Sequence, residues 1–457
     1  MTDKTQAARD ESDEDNPHSQ FALLRERRFW PLFVTQFTGA FNDNAYKTAL
    51  VVVLGFAEAK SWTSMEAGVL TNLAMALFIL PFFLFSAIAG QLADKFDKAR
   101  LARWVKALET PIILLAGAGF WLHSLPLLLA ALCLLGLQST LFGPLKYALL
   151  PQHLLPCELV GGNALVEAGT FVAILLGTLV GGMLAGLDGD AARLIAICLI
   201  MAVGGFFSSC RIPAAPAPAP DLRISPNIFA ETWRCIALAG RERSVFQSIL
   251  GISWFWAYGA LLLTQFPMYT KEVLGGDKGM ITLLLAVFSI GIGAGSLVCE
   301  KLTRRRGKII EPGLVPIGAL GMTIFGLDLA LGAPAGAAGM MHPLADMLGQ
   351  TSTWRALFDL LMLGGFGGLY CVPLYALVQQ RTEAQYRARI IAANNILNAL
   401  FMAVISVAAA AFLGQGFAIP TLFLGMAILH GIVAAYIFSV VPEFLIRTMV
   451  WLGVRRE

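Results

Sequence analysis

Apolar residues run along this chain in long blocks, separated by short polar segments. Twelve blocks are long enough to cross about 30 Å of hydrocarbon, which takes roughly 20 residues of helix. The pattern therefore predicts an all-α integral membrane protein with twelve transmembrane helices. The predicted spans are 29–57, 66–93, 101–122, 125–150, 160–187, 191–212, 244–272, 279–301, 309–333, 355–381, 388–413 and 418–441.

The polar segments divide the twelve blocks into two sets of six. The longest gap follows the sixth block and contains RIPAAPAPAPDLR, whose prolines exclude a regular helix and predict an extended linker. The acidic N-terminal segment has no apolar core of a signal peptide, and we expect a disordered tail there. The predicted organisation is a cytoplasmic tail at 1–28, a six-helix bundle at 29–212, a cytoplasmic linker at 213–243, a second six-helix bundle at 244–441 and a cytoplasmic tail at 442–457.

The two sets of helices carry an internal repeat. GPLKYALLPQ at 143–152 is matched by VPLYALVQQ at 372–380, and NALVEA at 163–168 is matched by NNILNA at 394–399. The fourth and fifth helices of one half thus correspond to those of the other. Two parallel repeats of this kind are typical of the major facilitator fold, whose substrate site lies between two pseudo-symmetric six-helix halves.

The distribution of basic residues predicts the orientation. Of the 33 Lys and Arg residues, 27 fall on the side that holds both chain ends, and Lys47 lies inside a block. Because basic residues are retained on the cytoplasmic side of a membrane, we expect both termini to be cytoplasmic.

Composition agrees with a membrane protein and excludes several functions. Hydrophobic residues make up 57% of the chain and charged residues 14%. The basic residues form no stripe, so we expect no nucleic-acid partner. Neither a G-x-x-x-x-G-K-[ST] motif nor a His-x4-Asp pair occurs, so we expect no enzyme activity. We expect no metal site and no cofactor, and leave open whether Na⁺ or H⁺ acts as a coupling ion.

The first block is interrupted by the polar stretch FNDNAYKTAL at 41–50. Asp43 and Lys47 are four residues apart on one helix face, with Asn44 beside them. Charges inside a membrane are costly, so this pair should either bond internally or face a water-filled cavity. One interpretation is a structural ion pair between helices. The other is that Asp43 binds a coupling cation or a positive headgroup, with Lys47 tuning its charge.

Further polar residues occur in the repeated helices. Lys146 follows a Gly-Pro step near the end of the fourth helix, where it can extend to the membrane interface or bind a phosphate. Asn163 and Glu167 share one face of the fifth helix, and the repeat places Asn394 and Asn398 at equivalent positions. Asparagines often hold membrane helices together, but their presence in both halves favours a lining of the central cavity.

The loop after the second helix, GQLADKFDKAR, has features of a gate. Gly90 allows close helix contact, Asp94 lies at a helix end, and Lys95 and Arg100 add positive charge. We expect these residues to hold the cytoplasmic side shut through charge and helix-dipole contacts. A solvated loop of mixed charge is the alternative.

Two polar features are given structural interpretations. Arg355 and Asp359 are four residues apart near the outer end of the tenth helix and predict an ion pair. His430 is isolated among apolar residues, which favours a packing role over proton relay.

Several stretches together resemble the lysophospholipid transporter (LplT-type) branch of the major facilitator superfamily. They are FNDNAYKTAL, GPLKYALLPQHL, LVGGNALVEAGTFVAILLGTLVGGMLA, SWFWAYGALLLTQFPMYTKEVLGG and GGFGGLYCVPLYALVQQR. The resemblance extends from about Phe29 to Trp451. It implies a bacterial inner-membrane flippase that moves lysophospholipids, chiefly lysophosphatidylethanolamine, to the cytoplasmic leaflet for reacylation. Some relatives are fused to an acyltransferase and an acyl-ACP synthetase, which would be separate partners of this chain.

The resemblance also implies site residues. Asp43 and Asn44 match the Asp-Asn of the family's first helix, Lys146 matches the lysine of its fourth, and Glu167 matches the acidic residue of its fifth. Together with Lys47 they would form a polar patch for the headgroup, beside an apolar wall for the acyl tail.

One departure from the family pattern concerns the seventh helix. The resemblance implies an arginine there, whereas this sequence offers Gln265 and Tyr269 among apolar neighbours. Contact with the headgroup phosphate would then fall to Lys146 or Lys47.

Two other functions remain open at this level. The charges of the first helix would equally suit a cation-coupled transporter of a soluble amphiphile. A C-terminal VPEFLIRTMVW, similar to the join of the fused relatives, would suit a non-transporting membrane scaffold for an acyltransferase.

Overall fold

The computed structural model describes residues 19–55, 65–185, 191–304, 310–334 and 342–454. Within these ranges, twelve helices have 18 residues or more, and ten of them qualify as membrane spans by length and composition alone. The other two, α1 and α3, contain the charged residues described below. The long helices are α1 (Trp30–Gly55), α2 (Ala67–Lys95), α3 (Lys98–Trp121), α4 (Leu125–His153), α5 (Leu159–Ala185), α6 (Ala191–Ser209), α7 (Arg243–Met268), α8 (Lys278–Arg304), α9 (Leu314–Leu331), α10 (Thr351–Arg381), α11 (Arg387–Gly414) and α12 (Ile419–Val440).

Short helical elements lie between and around the long helices. One of them, Ile228–Ala239, lies within the predicted linker. Most of the predicted N-terminal tail and the last residues of the C-terminal tail fall outside the described residues. The short elements are the 3₁₀ turns Gln20–Arg25 and Pro156–Glu158, the linker helix Ile228–Ala239, the π-helical turn Tyr269–Leu274, and the helices Leu344–Met347 and Glu443–Trp451.

The linker combines an extended run with a helix. The Pro/Ala run after Ile212 has no helical residues, as its prolines require. Asn227 then caps the linker helix by accepting a hydrogen bond from the backbone N–H of Ala230 at 3.0 Å. The buried face of this helix packs on α2 and α11, so the linker contacts both halves of the molecule.

The two halves pair their helices in the same way. In the first half α1 packs on α5, α2 on α4, and α3 on α6; in the second half α7 packs on α11, α8 on α10, and α9 on α12. Each pairing in one half is repeated six helices later in the other. The internal repeat seen in the sequence therefore corresponds to a repeated bundle, and the all-α fold with two pseudo-symmetric halves is confirmed.

Glycines permit the closest of these helix contacts. A Cβ added at Gly181 of α5 would collide with the backbone of Ala45 in α1. A Cβ at Gly295 of α8 would collide with the backbone of Gly365 in α10. Membrane helices rely on such small residues because lipid supplies no hydrophobic drive for helix association.

Exposed tryptophans mark the two membrane surfaces. Trp30 and Trp104 lie in the first two turns of α1 and α3, and Trp233 lies in the linker helix. All three are on the side of the chain termini, which we call the termini side. Trp121 and Trp354 lie at helix ends on the opposite side, called the far side. Aromatic belts of this kind form at the headgroup level of a bilayer.

The two halves meet through α2 with α11 and α5 with α8, and α4 and α5 also touch α10. The hydrogen bonds that join the halves within the described residues lie at mid-membrane or on the termini side. The central region between the halves is therefore closed towards the termini side.

Candidate functional site

The charges of α1 do not bond to each other. Among the described residues, Asp43 and Lys47 form no ion pair: Asp43 Oδ2 accepts a hydrogen bond from Ser139 Oγ at 2.5 Å. Lys47 Nζ donates to Asn44 Oδ1 at 2.9 Å and lies 5.2 Å from the centre of the Phe78 ring. Both charged side chains are half-buried. The structure thus separates two charges that helical spacing places on one face.

A second group of charges lies where α4 meets α5. Glu167 is almost fully buried and accepts a hydrogen bond from the hydroxyl of Tyr147 at 3.2 Å, with the thiol of Cys371 at 4.0 Å. Lys146 Nζ lies 4.6 Å from the Tyr147 ring centre and makes no hydrogen bond to another described residue. The acidic groups that attract its ammonium are Glu167 and Asp43. The structure therefore brings Asp43, Lys146 and Glu167 into one electrostatic cluster, which we call the charged cluster.

An aromatic layer bounds the charged cluster. Tyr147 of α4 and Tyr375 of α10 stack with ring centres 4.2 Å apart and an interplanar angle of 9°. Trp256 donates a hydrogen bond from Nε1 to the Tyr375 hydroxyl at 3.0 Å, and Phe171 stacks on Trp256 at 5.6 Å. The two tyrosines come from the repeated segments of the two halves, so the pseudo-symmetry of the fold places them face to face.

Asn163 lies beyond this layer, towards the termini side, and joins the halves. Its Nδ2 donates to Gln379 Oε1 at 2.7 Å, and Gln379 Nε2 donates back to Asn163 Oδ1 at 3.0 Å. Each residue is 1% exposed. We expected Asn163 to line the cavity, whereas the structure places it in a reciprocal amide pair between α5 and α10.

The α2–α11 contact has the geometry expected of a gate. The Asp94 carboxylate accepts hydrogen bonds from the backbone N–H groups of Ala388 and Arg389 at 3.1 and 3.3 Å. It also accepts one from Arg389 Nε at 3.0 Å. A carboxylate at the first turn of α11 is favoured by the helix dipole. Gly90 lets the helices meet, because an added Cβ would lie 2.9 Å from the Arg389 Cα.

The other two residues of the predicted gate stay within the first half. Lys95 Nζ lies 6.0 Å from the neighbouring Phe96 ring. Arg100 is exposed, and its backbone N–H is bonded to Asp97 at the start of α3. Of the four gate residues inferred from the sequence, only Gly90 and Asp94 contact α11.

The sequence pattern did not predict that the segment before α1 is bonded to both halves of the molecule. Arg28 ties this segment to the first half through two bonds to Glu158 at 2.6 and 2.7 Å and one to the His153 carbonyl at 3.1 Å. Gln20 then reaches the second half, donating from Nε2 to the Leu297 carbonyl of α8 at 3.0 Å. The polar first 20 residues gave no signal for this contact.

A buried ion pair in α3 was also missed. Lys106 and Glu109 are bonded to each other and are at most 1% exposed. Asn42 of α1 donates to Glu109 Oε1 at 2.6 Å and to the Cys198 carbonyl at 3.0 Å. Asn42, the first polar residue of FNDNAYKTAL, therefore bonds to this pair, and Lys106 lies inside the bundle. Its spacing of three from Glu109 was the available signal.

The remaining predicted site residues do not bond to the charged cluster. Tyr269 is buried in the second half, with its ring 5.3 Å from that of Phe423 in α12. Asn398 accepts a hydrogen bond from Ser253 of α7 at 2.8 Å. Asn394 is buried with no hydrogen-bond partner among the described residues, and Gln265 is half-buried on α7. Tyr269 thus belongs to the packing of the second half.

A family model described as Major Facilitator Superfamily matches residues 32–406. The chain belongs to the Major Facilitator Superfamily. Among solved structures, this major facilitator protein is similar to the Escherichia coli fucose:proton symporter FucP, with a TM-score of 0.65 at 14% identity, covering 90% of this chain and 98% of that one. It is also similar to a bacterial homologue of the iron transporter ferroportin in an outward-facing state, with a TM-score of 0.61 at 15% identity over 89% of this chain and 99% of that one. At these identities the likeness concerns the fold.

Curated relatives are more similar in sequence. A Cronobacter sakazakii protein named lysophospholipid transporter LplT is 28% identical over 365 residues, covering 78% of this chain and 81% of the relative. A Salmonella gallinarum protein of the same name is 29% identical over 354 residues, covering 77% and 79%. The resemblance of this major facilitator protein to the LplT-type branch is thereby confirmed.

Proposed function

We propose that this protein is a secondary transporter, a flippase that moves lysophospholipids across the bacterial inner membrane to the cytoplasmic leaflet. The names of its curated relatives support the substrate class, and the major facilitator fold supports transport instead of catalysis. The excess of basic residues on the termini side supports cytoplasmic termini, so the far side would face the periplasm.

The observation that carries the proposal is the state of Lys146. Its ammonium is half-buried, attracted by Glu167 and Asp43, and bonded to no described residue. A lysophosphatidylethanolamine headgroup has a phosphate, which Lys146 can bind, and an ammonium, which Asp43 or Glu167 can bind. Bringing these opposite charges together offsets the cost of taking the headgroup out of water.

The closed termini side defines what must change in the transport cycle. The Asp94 contact with α11, the Tyr147–Tyr375 stack and the Asn163–Gln379 pair all join the halves between the charged cluster and the cytoplasm. A headgroup that enters from the periplasmic side stops at this layer. Rocking of the halves by alternating access would separate these contacts and release the headgroup to the cytoplasmic leaflet.

The proposal also includes a coupling ion for transport and an enzyme that uses the delivered lipid. Asp43 has one carboxylate oxygen bonded to Ser139 and the other without a partner among the described residues, so it can bind Na⁺ or H⁺ as a coupling ion. The delivered lysophospholipid would be the substrate of a separate acyltransferase with its acyl-ACP synthetase, which adds the missing acyl chain.

The test is uptake of labelled lysophosphatidylethanolamine into spheroplasts that lack their own transporter. Lys146→Gln should lower uptake by at least about tenfold, because a charge-assisted hydrogen bond contributes about 1.5–3 kcal/mol. The matched control is Lys271→Gln, which removes an exposed lysine on the far side and should leave uptake unchanged.

The expression levels of all variants are matched, and the uptake assay has three informative outcomes. Uptake by wild type that falls only in Lys146→Gln supports the headgroup site. Equal uptake by both variants would remove Lys146 from the mechanism. An absence of wild-type uptake would rule out the substrate class, and a soluble amphiphile with an ion gradient would be assayed next.

A further inference from the structure

A buried carboxylate on the far side of the second half takes no part in the charged cluster. Asp359 lies in the third turn of α10 and is 1% exposed. Neither of its oxygens has a hydrogen-bond partner among the described residues. An ionised carboxylate in this state would carry a desolvation cost of several kcal/mol with no hydrogen bond to offset it. Its surroundings must therefore supply a proton or a cation.

The expected cation is bound elsewhere. We expected Arg355, one turn before Asp359, to form an ion pair with it. Arg355 instead binds Asp328 of α9 through both arms of its guanidinium, with Nε to Oδ2 at 3.1 Å and the second nitrogen to Oδ1 at 2.5 Å. A bidentate pair satisfies the geometry of both groups, so Arg355 is held by Asp328 of α9. Among the described residues, Asp359 therefore has no bonded cation.

The groups that face Asp359 come from three elements. From α9 the Asp328 carboxyl lies within hydrogen-bond reach of Asp359, and from its own helix Arg355 contributes positive charge. From the π-helical turn after α7, Tyr269 is close enough to interact electrostatically with Asp359 but donates no hydrogen bond to it. Two carboxyl groups therefore adjoin each other, and the one arginine beside them is bonded to Asp328.

With both carboxyl groups ionised, the two aspartates and Arg355 together would carry one negative charge in excess. Two carboxyl groups in contact do not both ionise, because each disfavours the charged form of the other. A proton on one of them makes the Asp328, Arg355 and Asp359 cluster neutral. It also supplies an O–H donor, which is the group that the Asp359 oxygens lack.

We propose that Asp328 and Asp359 together bind one proton, held between their carboxyl oxygens on the far side of the second half. The site is separate from the charged cluster and does not depend on the lysophospholipid substrate. It links α9 to α10 through a bond that exists only while the proton is bound. The packing of these two helices thus responds to the pH on the far side.

The first measurement is the melting temperature of the purified full-length protein in detergent, from acidic to mildly alkaline pH. The wild type should lose stability as pH rises, because the proton that joins α9 to α10 is released. Asp359→Asn carries amide hydrogens in place of the proton, so its loss of stability with rising pH should be smaller than that of the wild type. Glu272→Gln removes an exposed far-side carboxylate and should keep the wild-type slope.

The second measurement is the infrared carbonyl band of protonated carboxylic acid at neutral pH. Asp359→Asn should remove the intensity of one carboxylic acid from the wild-type spectrum. Asp328→Asn should do the same, since its amide N–H can donate to Asp359 and leave that carboxylate ionised.

The two readouts can overturn the proposal without any transport assay. An unchanged infrared band in a folded Asp359→Asn or Asp328→Asn protein would show that the pair holds no proton. An identical pH slope for wild type and Asp359→Asn would show the same. If neither variant folds, a wild-type spectrum with no carboxylic acid band at neutral pH would also contradict the proposal.

Discussion

The two halves have the same helix pairing but very different interiors. The first half contains charges deep within its helices, in the charged cluster and in the Lys106–Glu109 pair. The second half has neutral bonds at the equivalent depth. There Trp254 donates to His430 Nδ1 at 2.9 Å, which leaves Nε2–H to donate to the Ala319 carbonyl at 3.1 Å.

This difference shows that the packing of helices and the binding of a charged group place different demands on the same fold. Packing of helices needs small residues and shape, and both halves supply them through glycines such as Gly181 and Gly295. Binding a charged headgroup needs charges inside the bundle, and among the described residues the first half supplies these at mid-membrane. Under the proposed function, the first half would bind the headgroup and the second half would close against it. The neutral His430 has the packing role that its isolation in the sequence suggested.

The largest effect should come from breaking the buried ion pair of the first half. Glu109→Gln leaves Lys106 buried without its carboxylate, and we expect a loss of about 3–5 kcal/mol in stability. The matched change in the second half is Trp254→Phe, which removes one neutral hydrogen bond, leaves His430 Nδ1 buried without its donor and should cost about 1–3 kcal/mol. Melting curves in detergent give both values. Equal losses would contradict the contrast between the halves.

A smaller effect is expected at the gate. Asp94→Asn weakens the charge-assisted bonds to the start of α11, each of which contributes about 1.5–3 kcal/mol. The closed termini side should then open more often, and maleimide labelling of a cysteine placed at Ala392, opposite Gly90, should become faster. Asp97→Asn alters a carboxylate of the same loop that stays within the first half and the linker. If labelling were also faster in Asp97→Asn, the effect of Asp94→Asn would be due to disturbed loop structure and not to the loss of the contact with α11.

The smallest effect concerns the amide pair between the halves. Asn163→Ala and Gln379→Ala each remove one side of a reciprocal pair, and the double variant removes both. A double-mutant cycle of melting temperatures should give a coupling of about 0.5–1.5 kcal/mol, as for neutral hydrogen bonds. Independent, additive effects would mean that the pair does not hold the halves together.

Much of the fold could be predicted from the sequence. Apolar blocks determine where helices cross a membrane, because each block must be long enough for the hydrocarbon and must satisfy its own backbone. The repeated Pro-Leu and Asn segments determined that the chain has two related halves. Helical spacing also indicated which helices carry polar residues, including α1, α4 and α5.

The partner of each polar side chain was decided only by the tertiary structure. Spacing of four residues put Asp43 beside Lys47 and Arg355 beside Asp359, yet Asp43 bonds to Ser139 and Arg355 to Asp328. Helical periodicity fixes which residues share a face of one helix. It does not fix how neighbouring helices are rotated and packed, and that packing brought Ser139 to Asp43 and Asp328 to Arg355.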